Sequence, residues 1–112
     1  MRVVPCIVMI GALAPIQLAA ADAEEGARVY KDKCVACHGK EGAPLAPFAK
    51  IGVKDISDPE WQDSKGDEEI RKAVAEGTPE TLMRAFSKEL EPDQIDALVA
   101  FIRTLRREPA RD

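Results

Sequence analysis

The hydrophobic positions of the C-terminal third repeat with the period of a helix. Ile95, Leu98, Val99, Ile102 and Leu105 fall three or four residues apart, with Phe101 at the edge of the stripe and mostly polar residues between them. That spacing lines one face of an α-helix. Pro92 suits its first turn, Asp93 the positive end of its dipole, and Arg103, Arg106 and Arg107 the negative end. Those arginines read as a solvated helix terminus more readily than as a docking patch. A narrower stripe of Ile70, Ala73 and Val74 follows Asp67, Glu68 and Glu69 and stops at Gly77, which predicts a helix over 67–76. Nearer the N-terminus, Ala23, Ala27, Tyr30, Cys34 and Cys37 share one helical face, and Gly39 ends the run. From Lys40 to about Gln62 the periodicity fails. Gly42, Pro44, Pro47, Gly52 and Pro59 predict a loop, and a loop this long in a small domain is usually functional or wraps something. A second loop opens at Gly77-Thr78-Pro79 and carries Leu82, Met83 and Phe86. No segment alternates with period two, so the fold class is all-α, with three main helices.

Ahead of these elements, Val3 to Ala21 carries no charge. Arg2 supplies a short positive region, and Leu18-Ala19-Ala20 and Ala19-Ala20-Ala21 are small-residue cleavage sites. Residues 1–21 are therefore expected to be an export signal and residues 22–112 a single domain. The alternative is an uncleaved anchor, and a membrane association is expected only in that case. Its length is borderline for a bilayer, and Pro5, Gly11, Pro15 and Gln17 weaken it. Cys6 reads as a small apolar residue of the leader. Of three cysteines, Cys34 and Cys37 remain after the leader, so no disulfide framework is available. The charge is −4, from 16 basic and 20 acidic residues, and one unit more negative without Arg2. An acidic domain with no basic aromatic cluster is not a nucleic-acid binder.

Cys34-Val35-Ala36-Cys37-His38 is the most informative segment of the chain. Cys-x-x-Cys-His is the attachment signal of a c-type haem: two thiols within one helical turn can bond the same porphyrin edge, and the next residue offers its imidazole to the iron. A thioredoxin-like pair would follow a strand, and none leads into Cys34. A structural zinc site wants four ligands, and Cys34, Cys37 and His38 would need a carboxylate as the fourth. The opposite axial position follows by elimination. The chain has one histidine, and of its three methionines Met1 and Met9 lie in the leader. Met83 is the remaining thioether, a soft ligand that raises the reduction potential. A five-coordinate iron and ligation by a lysine stay open. The chain carries no second haem motif, nucleotide loop or acid–base constellation, so it is not expected to be an enzyme.

Residues 23–107 resemble a class I c-type cytochrome of the short, single-haem bacterial type. The resemblance rests on Gly26, Tyr30 and Cys34 to Gly39, on Gly42-Ala43-Pro44-Leu45, on Gly77 through Met83-Arg84-Ala85-Phe86, and on Leu90 with Gln94 to Arg103. It implies the cytochrome c fold, three main helices wrapped around one covalently attached haem c. The first and last helices would cross nearly at right angles, with Gly26 and Tyr30 against Phe101. It also implies that the Pro44 carbonyl accepts a hydrogen bond from the outer nitrogen of His38, and that Leu45 borders the haem. Trp61 is either a donor to a haem propionate or a core residue. Two departures stand out. Arg84 follows Met83 where proline is common, which would loosen that loop, and Glu91 stands where Ser or Thr would cap the last helix. The expected role is a periplasmic electron carrier with His38 and Met83 as axial ligands, meeting redox partner proteins through a haem edge. Lys33, Lys40, Lys50, Lys54 and Lys88 are candidates for steering. The alternatives are a haem c subunit of a larger oxidoreductase complex, or an open-site sensor if Met83 does not ligate.

Overall fold

A computed structural model describes residues 2–7, 11 and 16–108. Met1, Met9 and Pro15 of the expected leader lie outside the described residues, as do 109–112. The elements are α1 (Ile16–Lys33), α2 (Val35–His38), α3 (Ala46–Lys50), α4 (Pro59–Ser64), α5 (Asp67–Glu76) and α6 (Pro92–Thr104), with no strand among the described residues. No helix among them is long and apolar enough to cross a membrane.

Helix α5 has the bounds its stripe predicts, and α6 ends one residue short of Leu105. The expected single helix over 23–37 is two. α1 starts earlier, at Ile16, and the helix breaks at Cys34. There the carbonyl of Cys34 takes both the Cys37 amide at 3.2 Å and the His38 amide at 2.9 Å, so the turn tightens. The loop over 40–62 also holds more structure than expected. Pro47 and Pro59 sit in the first turns of α3 and α4, where a missing N–H costs nothing, so they start helices instead of ending them.

The core is where α1 and α6 pack, with α5 against α6. Val29, Tyr30, Ile70, Val74, Leu98 and Ile102 are among its buried members. Gly26 sets the closeness of the two backbones: a Cβ there would meet the Ala97 carbonyl oxygen and lie 2.7 Å from the Phe101 Cβ. One turn on, the Tyr30 and Phe101 rings pack with centroids 5.2 Å apart and tilted by 52°. Gly26 and Tyr30 thus lie against Phe101, as the resemblance implies.

The basic end of α6 is not merely a solvated terminus. Arg103 reaches the Gln62 carbonyl (2.6 Å) and Oε1 (3.0 Å), the Lys65 carbonyl (2.5 Å) and Asp67 (2.8 Å). Arg106 pairs with Asp63 and Arg107 with Asp55. Gln62, only 3% exposed, donates from Nε2 to the carbonyls of Ile56 (2.7 Å) and Ile102 (2.9 Å). A buried amide with each polar atom satisfied holds its neighbours in place without a desolvation penalty. Together these side chains fasten the 55–67 segment onto α6.

The weak cap at Glu91 is compensated from inside the helix. The Gln94 side-chain oxygen accepts the Glu91 amide at 2.9 Å, and Pro92 occupies the first turn.

Candidate haem site

Cys34 closes the last turn of α1, its amide on the Tyr30 carbonyl at 2.9 Å, and its side chain is buried. Cys37 and His38 follow on α2, both half-buried. Neither thiol is in a disulfide. Burial first, and then the neighbouring Cys37, push the Cys34 thiol up to about 11, so it is neutral at physiological pH.

The His38 ring is anchored on one side. Its Nδ1 lies 3.1 Å from the Lys54 carbonyl oxygen. A carbonyl can only accept, so Nδ1 carries the proton and Nε2 keeps its lone pair. Burial lowers the imidazole pKa and outweighs the opposing effect of the Lys54 carbonyl. The ring is therefore neutral, with a fixed tautomer and one free nitrogen, which is the form that binds a metal.

The acceptor expected at Pro44 is thus the carbonyl of Lys54. The cause lies in the turn after His38. Gly39 and Gly42 both have positive φ, 75° and 94°, a region in which glycine carries no steric cost. The turn they form lets the Ile56 amide donate to the Gly42 carbonyl at 3.1 Å. That bond lays residues 53–56 back along the turn and brings Lys54 to the imidazole. From the other side, the Tyr30 hydroxyl donates to the Gly39 carbonyl at 2.6 Å, and both groups are buried.

Met83 is half-buried and packs against the core cluster. Its loop is closed on itself. The Thr78 amide donates to the Met83 carbonyl at 3.0 Å, and the Met83 amide to the Thr81 hydroxyl at 3.1 Å. Gly77 makes this closure possible: with φ at 76°, a Cβ there would sit 2.8 Å from the Met83 carbonyl oxygen and 2.9 Å from the Ala85 amide nitrogen. Arg84 makes two contacts beside the loop. Its guanidinium lies 4.3 Å over the Phe86 ring and pairs with Glu89.

Pro44 is half-buried, and Leu45 is 57% exposed at the start of α3. Ile51 and Leu82 are also exposed, in the two segments that flank the histidine turn and the methionine in sequence. Trp61, on α4, is half-buried against the core.

The thiols and the imidazole fit a haem c: two free thiols one turn apart and a neutral imidazole with a free nitrogen, while Met83 lies half-buried in a separate loop. Among the described residues no three His, Cys, Asp or Glu side chains form a cluster. Sequence reasoning missed Lys54, which acts through its backbone and leaves no side-chain signal. It also missed the Tyr30 hydroxyl, whose place one turn before Cys34 was legible but whose acceptor was not.

Residues 23–106 match the family model for cytochrome c. A curated relative, the Cbb3-type cytochrome c oxidase subunit FixPc of Rhizobium leguminosarum bv. viciae, is 30% identical over 83 residues, 74% of this chain and 28% of that protein. The chain spans 28% of the length of each of the curated relatives it matches. Among solved structures, the KustC0563 c-type cytochrome superposes with a TM-score of 0.68 at 35% identity, over 73% of this chain and 98% of that one. The Kuenenia stuttgartiensis reducing HAO-like protein complex Kustc0457/Kustc0458 shares the fold, with a TM-score of 0.69 at 23% identity over 92% of this chain and 50% of that one.

Proposed function

The chain belongs to the cytochrome c family, and on that premise we propose that it is an exported, periplasmic carrier of one electron, with His38 and Met83 as the axial ligands of a covalent haem c. Haem c with its iron, and electron transfer, come with the family. Cys34 and Cys37 are the attachment thiols of this reading. The haem iron supplies reversible one-electron chemistry. The protein's part is to hold two ligands through both oxidation states. His38 presents Nε2, its ring fixed by the Lys54 carbonyl. Met83 presents its thioether from a loop pinned by Thr78 and Thr81. Pro44, Leu45 and Trp61 border the ring and limit its contact with water. Residues 1–21 direct export and leave 22–112 as the working domain.

The observation that carries this reading is the neutral, anchored imidazole immediately after two free thiols. Acid–acetone extraction of protein exported in a haem-maturing host tests it. Colour should stay with the polypeptide, and the Cys34→Ser, Cys37→Ser double variant should release it. Colour extracted from the wild type contradicts the reading.

A second reading has its own support. The curated relatives are oxidase subunits several times longer than the matched segment, so the same domain serves within larger assemblies there. On that reading the chain passes electrons to fixed partners in a complex. Either way it is a carrier that meets redox proteins, and neither reading assigns it a substrate to transform.

A further inference from the structure

We propose that Arg107, Asp55 and Ser57 form a lock that holds the Lys54 carbonyl on His38, making Arg107 and Asp55 positioning residues for the axial histidine. The inference rests on the reading of His38 as an iron ligand.

Lys54 lies in an irregular stretch between α3 and α4, and its own side chain is exposed. What fixes its peptide comes from the residues that follow. Asp55 Oδ1 accepts from the Ser57 amide at 3.0 Å and the Ser57 hydroxyl at 2.6 Å. Asp55 Oδ2 accepts from Arg107 Nη1 at 2.7 Å, and the same Nη1 donates to the Ser57 hydroxyl oxygen at 2.8 Å. The Arg107 amide donates to the Ser57 carbonyl at 2.8 Å, closing the ring of contacts through the backbone. Ser57 is 1% exposed, so the lock reaches into the interior. Between Asp55 and Ser57, the Ile56 amide donates to the Gly42 carbonyl at 3.1 Å. The segment that carries the Lys54 carbonyl is thus gripped between the turn after His38 and the residues just past α6.

The chemical consequence follows from what the carbonyl does. An acceptor on Nδ1–H makes the imidazole a stronger donor through Nε2 and favours the ferric state. Loosening the Lys54 carbonyl should therefore raise the reduction potential and expose the Nδ1 proton to exchange. A field effect on the iron behaves differently. Removing the Arg107 cation would lower the potential, and removing the Asp55 anion would raise it.

The experiment compares Arg107→Ala and Asp55→Asn in haem-loaded protein, reading the reduction potential and the solvent exchange of the His38 Nδ1 proton by NMR. Both variants should shift the potential upward and speed the exchange, and the double variant should add little to the larger single effect. Arg106→Ala removes the same charge from the pair with Asp63, 3.1 Å long, and should leave the exchange unchanged. Shifts of opposite sign in Arg107→Ala and Asp55→Asn overturn the proposal. So does an unchanged exchange rate in Arg107→Ala, which suffices alone if Asp55→Asn does not fold. Failure of the underlying site reading shows separately, as wild-type haem that extracts into acid–acetone.

Discussion

At the scale of single residues, the site depends on atoms that do little individually. Gly77 is one. With φ at 76° and no room for a Cβ beside the Met83 carbonyl, Gly77→Ala must either strain its own backbone or displace the loop. We expect a loss of about 1–3 kcal/mol in unfolding experiments, together with faster binding of carbon monoxide to the reduced protein, because the displaced loop carries Met83. A variant as stable and as closed as the wild type would contradict this. Asp55 is another. Its partial burial pushes the carboxyl up, but the hydrogen bonds from Ser57 and Arg107 outweigh that and hold it below the usual range. A carboxyl more acidic in the folded chain than in the unfolded one stabilises the fold at neutral pH and loses that contribution as pH falls through its folded value. The thermal midpoint should therefore drop as pH falls below the ordinary carboxylate range. Asp55→Asn should lower the midpoint at neutral pH and flatten the drop. An equally steep acid limb in the variant would place the dependence on other carboxyls, such as Asp63, which Arg106 also holds low.

At the scale of elements, α5 and α6 were legible and the joints were not. The stripe of Ile95, Leu98, Val99 and Ile102 is buried as its period requires, and Ile70 and Val74 face the core as expected. Periodicity reports which face meets the core, so it locates long helices well. It is silent on α3 and α4, which are too short to show a period. Their prolines look like breakers until position in the turn is known. The arginines past Phe101 show a similar limit. Their charges suit a helix C-terminus, yet their partners, Gln62, Asp63 and Asp55, come from a segment some forty to fifty residues away in sequence. The pentapeptide was legible because it is local. The acceptor for His38 was not, because a backbone carbonyl brought in by a glycine turn has no residue signature. The α1–α6 contact yields a sharp expectation. Gly26→Val would drive a branched side chain into the Ala97 carbonyl and Phe101. The helices would have to separate, at a cost of about 3 kcal/mol or more. Chemical denaturation measures it, and a shift below about 1 kcal/mol would mean the helices can yield.

At the scale of the whole molecule, a net charge of −4 conceals local contrast. Lys40, Lys50, Lys54 and Lys88 are exposed around the segments that carry the candidate ligands. If they steer the carrier to an acidic redox partner, the association rate should fall steeply with ionic strength. A flat dependence would remove steering by these lysines and favour permanent assembly in a complex. Function turns on the two sides of one iron. The near-infrared absorption of the oxidised, haem-loaded protein tests it most directly, because a sulfur-to-iron band appears when a thioether is bound. With Met83 as ligand, the wild type shows a weak band that is lost in Met83→Ala, and carbon monoxide then binds readily to the reduced variant. No band in the wild type, or a band that survives the loss of Met83, would contradict it.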